Sequence, residues 1–224
     1  MLMGCLIMLI NKIKEYKEYL ILVVFTMGTQ ALFYFLIKSF ISEYNIIDSI
    51  VNVPLIKEFV YFYCAWYPFI ILNTFIIYKC NKKIFYYLIA TMLLGALMSQ
   101  ITFLLYPSMI VRPNIEVTGL TSWILDFTYR TDTPAVNCLP SMHCVYCFVT
   151  SYYILKCKKL ENKYKYLIVT FSMLIVLSTI FIHQHVLEDI ILSFIYTIIA
   201  VLIIKLCSNK IDKFSKNRII KSIA

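Results

Sequence analysis

The chain has 224 residues, of which 61% are hydrophobic and 15% charged, and its mean hydropathy is +0.80. Such a composition excludes an ordinary water-soluble protein and is typical of a protein that lies within a lipid bilayer. The formal charge of +9 comes from short Lys and Arg clusters between long apolar runs, a pattern that argues against nucleic-acid binding. The eight cysteines form no zinc-like grouping, so we expect no metal site.

Six apolar runs are long enough, or nearly so, to cross a hydrocarbon core of ~30 Å as helices. Helices are favoured because backbone polar groups in lipid must be satisfied within the segment, and no alternating pattern typical of a barrel is present. The fourth run is the shortest, so we expect its start to lie below the membrane surface, shielded by neighbouring helices. The predicted helices are Tyr19–Ile37, Phe59–Tyr78, Ile84–Tyr106, Ser141–Leu155, Tyr166–Ile182 and Ile190–Leu206.

Most basic residues fall on one side of these six runs, and this asymmetry predicts the orientation. All but four of the 21 Lys and Arg residues lie on the side that contains both termini. The positive-inside rule therefore places both termini in the cytoplasm. We predict an all-α, polytopic membrane protein, a six-helix transmembrane bundle that forms one domain over residues 1–224. The four basic residues on the outer side are Lys38, Lys57, Arg112 and Arg130.

Two segments outside the runs have features of their own. The N-terminal run Met1–Ile10 is apolar but lacks a preceding basic region and a small-residue cleavage site, so we expect an interfacial segment instead of a secretory signal. The long loop Pro107–Pro140 lies on the outer side, and loops of this length in compact proteins are commonly functional. Its Trp123, Phe127 and Tyr129 resemble an aromatic belt at the membrane interface.

Three short motifs fall at the outer ends of the runs in this topology. Arg112-Pro113 follows the third run, the heptapeptide from Asn137 to His143 opens the fourth, and the pentapeptide from His185 to Asp189 lies between the fifth and sixth. All three histidines of the chain, which include His183, lie at outer ends of runs. A random scatter of structural histidines explains this arrangement poorly.

Each of these residues has a chemistry that suits phosphoryl transfer. His185 and Asp189 stand at i and i+4, so on a helical turn the carboxylate can hold one imidazole N–H while the other nitrogen attacks phosphorus. His143 can protonate the departing oxygen and then take a proton from water, a role worth ~10²–10⁴-fold in rate. Arg112 supplies a planar fork for phosphate oxygens.

Pro140 suits the first turn of a helix, where the free N–H groups of Ser141, Met142 and His143 would point outward and bind an anion. Each motif taken alone also has an ordinary structural interpretation. His143 alone would be a capping histidine, and a basic residue such as Arg112 often serves as an interfacial anchor. The order and the shared membrane face of the three motifs favour a catalytic site.

At these residues the sequence resembles the type 2 phosphatidic acid phosphatase superfamily of membrane lipid phosphatases and phosphotransferases, also called the acid phosphatase–haloperoxidase fold. The resemblance covers roughly residues 94–206. It implies that His185 is the nucleophile that forms a phosphohistidine, that Asp189 orients it and that His143 is the acid. It further implies catalysis without a metal or another cofactor. The phosphate-binding residues that it implies are Arg112, Ser141 and Met142.

Two positions depart from the fuller pattern of this family. Leu105 stands seven residues before Arg112, where the pattern has Lys, and Thr179 stands where it has Arg. Two phosphate-binding cations are therefore missing, and Arg130 and His183 are candidates to replace part of the lost charge. The second and third motifs resemble a bacterial subgroup related to inositol-phosphoceramide synthase and sphingomyelin synthase, so the acceptor is open between water and another alcohol.

The resemblance implies a metal-independent lipid phosphate phosphatase. The abundance of Ile, Lys, Asn and Tyr suggests a bacterial source, and the predicted topology places the site on the outer side of the plasma membrane. Its substrates would be phosphate or diphosphate monoesters whose lipid tail enters from the bilayer, such as phosphatidic acid, phosphatidylglycerol phosphate or a polyprenyl diphosphate. Two alternatives stay open: a phosphotransferase that uses an alcohol acceptor, and a non-catalytic membrane protein. Cys138 and Cys144 flank the site, and we expect both to be free thiols. The lipid tail and the oligomeric state are not fixed by the sequence.

Overall fold

A computed structural model of the chain describes residues 2–48 and 50–213, and side chains from residue 16 onward within these ranges. The described part consists of eight α-helices, one 3-10 turn and a two-stranded parallel pair. The helices are α1 (Leu2–Phe40), α2 (Val60–Cys64), α3 (Trp66–Cys80), α4 (Lys82–Leu105), α5 (Leu120–Thr131), α6 (Met142–Lys156), α7 (Asn162–Phe181) and α8 (Leu187–Leu206); the strands are β1 (Asn45–Ile46) and β2 (Ser108–Met109), and the 3-10 turn is Lys57–Phe59.

Five helical segments of the described chain are long and apolar enough to cross a membrane. They correspond to five of the six predicted runs, so the prediction of an α-helical membrane protein is confirmed and the count of six spans is not. The cytoplasmic position of the termini stays a prediction, and Lys216, Arg218 and Lys221, which contribute to it, lie outside the described residues. The five segments are Tyr16–Phe40, Lys57–Cys80, Lys82–Leu105, Asn162–Phe181 and Leu187–Leu206.

The missing sixth span is α6, which forms the centre of the bundle. Its 15 residues make a helix of about 22 Å, too short to cross the hydrocarbon core by itself. It packs against α3, α4, α7 and α8, and ten of its residues are buried. Because four neighbouring helices pack around α6, its start can lie inside the bundle, as expected for the shortest run.

The α4–α6 contact depends on a close approach of the two helices. Gly95 lies at this contact, where an added Cβ would come within 2.9 Å of Val145 Cγ1. Val145 is completely buried and β-branched, so its side chain has little freedom to move away. The small residue therefore sets how closely α4 approaches the central helix.

The second predicted run contains a break, since α2 ends at Cys64 and α3 begins at Trp66. Pro68 follows in the first turn of α3. It has no N–H to donate to the carbonyl of Cys64, and its ring crowds that carbonyl, so a continuous helix is disfavoured there. The break places Tyr63 and Trp66 on two helices that meet at one point.

The segment between α4 and α6, which the sequence presents as a long loop, is ordered by contacts within itself and with the chain that follows α1. Its strand β2 pairs in parallel with β1, with Ser108 opposite Asn45. Helix α5 occupies its middle, and the Ser122 hydroxyl accepts the backbone N–H of Thr118 and of Gly119 at the start of that helix. The segment therefore forms a structured cover over one end of the bundle.

The aromatic belt expected in this segment holds for only two of its three residues. Trp123 and Phe127 are more than half exposed and their rings stack at 5.8 Å, as expected at a membrane interface. Tyr129 is buried instead, and its hydroxyl donates to the Ile182 carbonyl at 2.6 Å. Its assignment to the belt was wrong, because one face of α5 packs on the end of α7.

Candidate active site

His185 and Asp189 meet in the turn between α7 and α8. His185 Nδ1 lies 2.8 Å from Asp189 Oδ2, and the same oxygen accepts the backbone N–H of Val186 at 3.1 Å. His185 itself precedes the helix, so the pair forms because Asp189 folds back to cap the start of α8, and not because both lie on one helical face. With a carboxylate as acceptor, Nδ1 donates, and in the neutral ring Nε2 keeps its lone pair.

The backbone of α7 fixes the position of this turn. The N–H groups of Gln184 and His185 both donate to the Thr179 carbonyl, at 2.9 and 3.0 Å. Asp189 is completely buried, and its other oxygen, Oδ1, has no hydrogen-bond partner among the described residues. The imidazole of His185 is therefore oriented by a carboxylate that is shielded from water.

His143 lies in the first turn of α6, where aromatic rings surround its imidazole. The ring of Tyr63 stacks on it at 4.5 Å, and the ring of Trp66 lies 4.3 Å away. Its Nε2 is buried without a hydrogen-bond partner among the described residues, and so is Trp66 Nε1. Buried polar atoms are usually paired, and exceptions call for an explanation such as catalysis.

The two histidines face each other across the start of α6. Their ring centroids are 6.4 Å apart and their planes are inclined by 55°, so the two imidazoles are close neighbours. Ser193 of α8 holds this geometry, since its hydroxyl lies 3.0 Å from the Ser141 carbonyl and 2.6 Å from the Asp189 carbonyl. The start of α6 and the start of α8 are thus tied together.

The start of α6 differs in detail from the prediction. Pro140 precedes the helix, and Ser141 is the N-cap, whose side chain accepts the Cys144 N–H at 3.4 Å. The side chains of Ser141 and Met142 are buried. What this segment can offer an anion is the backbone N–H groups of Met142 and His143, which have no intrahelical acceptor in a first turn.

Arg112 reaches the turn beside His185, but protein groups already engage its terminal nitrogens. Nη2 donates to Asp132 Oδ2 at 2.5 Å and to Gln184 Oε1. Nη1 donates to the carbonyls of Tyr129 and Asp132 at 3.1 and 3.2 Å. Nε is buried with no partner among the described residues. The fork expected to bind phosphate is therefore held by Asp132 and Gln184.

The ring of Tyr129 packs against the guanidinium of Arg112. Its ring centroid lies 4.9 Å from Arg112 Cζ, within the range of a cation–π contact. Burial raises the pKa of the Tyr129 hydroxyl to about 12, although the Arg112 charge opposes this shift. The hydroxyl stays protonated and keeps its hydrogen bond to α7.

The two accessory candidates do not join the site. Arg130 is mostly exposed and pairs with Asp126 one helical turn earlier on α5, at 2.8 Å. His183 has a positive φ of 50°, and its Nε2 donates to the Val53 carbonyl at 3.0 Å. In the described part of the chain these contacts are with Asp126 and Val53 and not with the catalytic candidates, so a role in replacing the missing cations stays a prediction.

Sequence reasoning missed several residues that contact the site residues. Asp132 and Gln184 carry polar side chains near recognised motifs, and Gln184 stands directly between two histidines, which was an available signal. The aromatic residues around His143 gave none, because an aromatic residue within an apolar run looks like any other core residue. The missed residues are Asp132, Gln184, Tyr63, Trp66 and Ser193.

The cysteines near the site are unpaired. Cys138 and Cys144 are free and buried, in agreement with the expectation of free thiols. Cys144 and Cys147 stand in a Cys-x-x-Cys spacing, but among the described residues no group of His, Cys, Asp or Glu could hold a metal ion. Burial raises the pKa of the Cys138 thiol, so this thiol stays protonated.

Comparison with protein families identifies the superfamily of this chain. The chain matches the PAP2 superfamily over residues 83–213, more than half of its length. The matched range begins in α4 and contains Arg112, His143, His185 and Asp189, whereas α1, α2 and α3 lie outside it. Comparisons with curated proteins and with solved structures found no significant match.

Proposed function

Since this chain belongs to the PAP2 superfamily, whose members are generally phosphatases or phosphotransferases, we propose that it is a membrane-bound lipid phosphate phosphatase. The family that the three motifs indicate is thereby confirmed. The narrower bacterial subgroup related to inositol-phosphoceramide synthase stays a prediction.

One observation carries the proposal. His185, held at Nδ1 by a buried carboxylate, faces His143, whose Nε2 is buried and has no hydrogen-bond partner among the described residues. A nucleophile oriented by a third group, with a second acid–base group opposite, is the arrangement that covalent catalysis requires.

The proposed reaction proceeds in two steps. His185 Nε2 attacks the phosphorus atom, an N–P bond forms, and the P–O bond to the lipid breaks while protonated His143 gives its proton to the departing oxygen. Neutral His143 then takes a proton from water, whose oxygen attacks phosphorus and breaks the N–P bond. Phosphate leaves, and both histidines return to their starting forms. Asp189 stabilises the charge on His185 throughout.

The surroundings of His143 act on its protonated form in two opposite directions. The rings of Tyr63 and Trp66 attract positive charge. Burial, and then the charge of His185, lower the pKa of His143 to about 3, so the acid role requires a bound phosphate whose negative charge raises it again.

Charge that develops on the phosphoryl oxygens would be stabilised by the first-turn N–H groups of α6, donors fixed in place before the reaction. Arg112 would add to this stabilisation once the phosphate replaces a contact now made by Asp132 or Gln184.

The proposed orientation in the membrane rests on the ends of the helices at which the lysines cluster. The candidate site lies after the end of α4 and at the starts of α6 and α8, whereas lysines cluster at the opposite ends of these helices. The positive-inside rule would place those lysines in the cytoplasm and the site on the outer side of the membrane. Such a site suits a lipid phosphate whose tail stays in the bilayer, and a bacterial plasma membrane is the setting we propose.

The test is phosphate release by detergent-purified protein from a panel of lipid phosphates and diphosphates, with EDTA present. Wild type should release phosphate, and His185→Ala should lose at least ~10³-fold, since it removes the nucleophile. His183→Asn is the matched control, because asparagine tolerates the positive φ and His183 lies outside the site. Full release by His185→Ala would refute the covalent mechanism.

A phosphotransferase is the second candidate. It is favoured by Thr179, which stands where the fuller family pattern has Arg. Thr179 is completely buried, and its hydroxyl donates to the Val176 carbonyl at 2.7 Å, so the site has one cation fewer to hold a phosphate dianion. With radiolabelled lipid phosphate and an added alcohol, transfer would place the label on the alcohol with little free phosphate. Label in neither product would favour the non-catalytic alternative.

A further inference from the structure

The carboxylate of Asp132, just after α5, is surrounded by donors from two separate parts of the chain. Its Oδ1 accepts the Tyr34 hydroxyl at 2.5 Å and lies 3.9 Å from Lys38 Nζ. Its Oδ2 accepts Arg112 Nη2 at 2.5 Å. Lys38 Nζ also donates to the Pro134 carbonyl at 3.1 Å. Two cations and a phenol thus converge on one anion.

Two of these donors come from α1, which lies outside the part of the chain that matches the family. Tyr34 and Lys38 are one helical turn apart, so they present their polar groups on the same face of α1. The family pattern places its additional cations at the positions of Leu105 and Thr179, which carry no charge here. Lys38 is linked to Arg112 through a shared partner, the carboxylate of Asp132.

The cluster adjoins the histidine pair. Arg112 Nη2 contacts both the Asp132 carboxylate and Gln184, which directly precedes His185. The charges of Asp132 and Arg112 also act on the Tyr63 hydroxyl, and the Tyr63 ring stacks on His143. An anion at the position of the Asp132 carboxylate would therefore share Arg112 with Gln184, the residue that directly precedes His185.

We propose that Tyr34, Lys38 and Arg112 form an oxyanion subsite, in which Asp132 is an internal anion that a phosphate group of the substrate replaces. This inference rests on the proposed function, because the subsite would bind the substrate of that reaction. It assigns substrate binding to α1 and gives Lys38 the role of a missing family cation.

The chemistry of the exchange is straightforward. A carboxylate and a phosphate both present oxygen atoms that accept charge-assisted hydrogen bonds from arginine and lysine, and a phosphate carries more charge and more oxygens. Asp132 is about one-third exposed at its side chain, and it follows the end of a helix, where a side chain can turn toward water. The displaced carboxylate would be solvated.

Two kinds of phosphate can occupy this subsite, the reacting phosphate or the second phosphate of a diphosphate. Binding of inorganic phosphate and of pyrophosphate to full-length protein in detergent, measured by calorimetry, distinguishes them without requiring turnover. Lys38→Gln should weaken binding about tenfold, because it removes a charge-assisted contact. A loss for both anions would assign the subsite to the reacting phosphate. A loss for pyrophosphate alone would assign it to the second phosphate.

Asp132→Asn separates exchange from simple bracing of Arg112. If Asp132 competes with the ligand, removing its charge should strengthen anion binding severalfold and lower the KM for a lipid phosphate. If Asp132 only orients Arg112, the same variant should bind anions more weakly, and that result would overturn the proposal. Tyr34→Phe should weaken binding less than Lys38→Gln does.

The chain offers a matched control at the opposite end of α4. Lys83 and Tyr87 hold Asp212 in a similar cluster, so Lys83→Gln removes an equivalent lysine–aspartate contact far from the site. Anion binding should not change in this variant. Equal binding by wild type, Lys38→Gln and Lys83→Gln would refute the subsite. If wild type binds the anions but turns over no lipid phosphate of the panel, the proposed function is refuted and the subsite is not.

Discussion

Both ends of α4 have an aspartate beside them that is held by a tyrosine and a lysine, yet only one of these clusters adjoins a candidate active site. Asp132 lies at the end where α4 is followed by Arg112, and Asp212 lies at the end where α4 begins. The partners are Tyr34 at 2.5 Å and Lys38 at 3.9 Å for Asp132, and Tyr87 and Lys83, both at 2.7 Å, for Asp212.

The difference between the clusters is what lies next to them. Asp132 shares the buried guanidinium of Arg112, which continues to Gln184 and the histidines. The Lys83–Asp212 pair is largely exposed, with side chains about half accessible to solvent. The same three side-chain types thus make a surface ion pair at one end and part of a buried polar network at the other. Tertiary surroundings decide the role.

The largest effect should come from the buried carboxylate at the site end. Asp189→Asn should lower the rate of phosphate release by ~10³–10⁴-fold, because the amide lacks the charge that stabilises His185 and favours the wrong tautomer where its NH2 group faces Nδ1. Single-turnover rates with a lipid phosphate measure this. Asp212→Asn, the same substitution at the far end, should leave the rate unchanged. A loss smaller than tenfold in Asp189→Asn would contradict the assigned role.

A smaller loss is expected when position 112 keeps its positive charge but loses the planar guanidinium group. Arg112→Lys should reduce kcat/KM by about 10²-fold, since an ammonium cannot reproduce the contacts of both terminal guanidinium nitrogens. Kinetics across lipid phosphate concentrations would separate KM from kcat. Activity equal to wild type would show that the buried network around Arg112 is purely structural.

The smallest effect concerns the exposed cluster and appears only in stability. Hydrogen bonds from Lys83 and then from Tyr87 hold the pKa of Asp212 below its ordinary value. A depressed pKa in the folded protein stabilises it above the pKa of the unfolded chain, and this contribution disappears as pH falls through the folded value.

Thermal unfolding of wild type and Asp212→Asn in detergent tests this point. Wild type should have the slightly higher Tm at neutral pH. The difference should begin to shrink as pH falls below about 4, the pKa of an ordinary aspartate, and should vanish below the depressed pKa of the folded protein. A difference that grows toward low pH would have the wrong sign and would contradict the assignment.

Much of the fold could be predicted from hydropathy, because a segment in lipid must satisfy its own backbone hydrogen bonds. Five predicted runs correspond to candidate spans, whereas α6 falls short because burial by its neighbours removes the need for length. Helix α5 was not anticipated, since its polar and apolar residues are too evenly mixed for an apolar-run criterion. The break near Pro68 follows from the missing N–H and the ring of proline, but a criterion based on apolar runs does not detect it.

The candidate site could also be predicted in part from the sequence. His143, His185 and Asp189 were identified from short motifs, and the structure brings them together, while their catalytic roles stay a proposal. Arg130 and His183 were chosen for their charge and position in the sequence, but their side chains contact Asp126 and Val53 instead. Side-chain direction in a turn depends on backbone angles that residue types alone do not specify.

The sequence by itself determined that this protein is an α-helical membrane protein of the PAP2 superfamily, because hydrophobicity and short motifs are local properties. Only the tertiary structure decided which lysine shares the Asp132 carboxylate with Arg112. Lys38 and Asp132 are more than ninety residues apart in the chain and meet only after α1 packs against the bundle, since such contacts depend on the packing of whole helices.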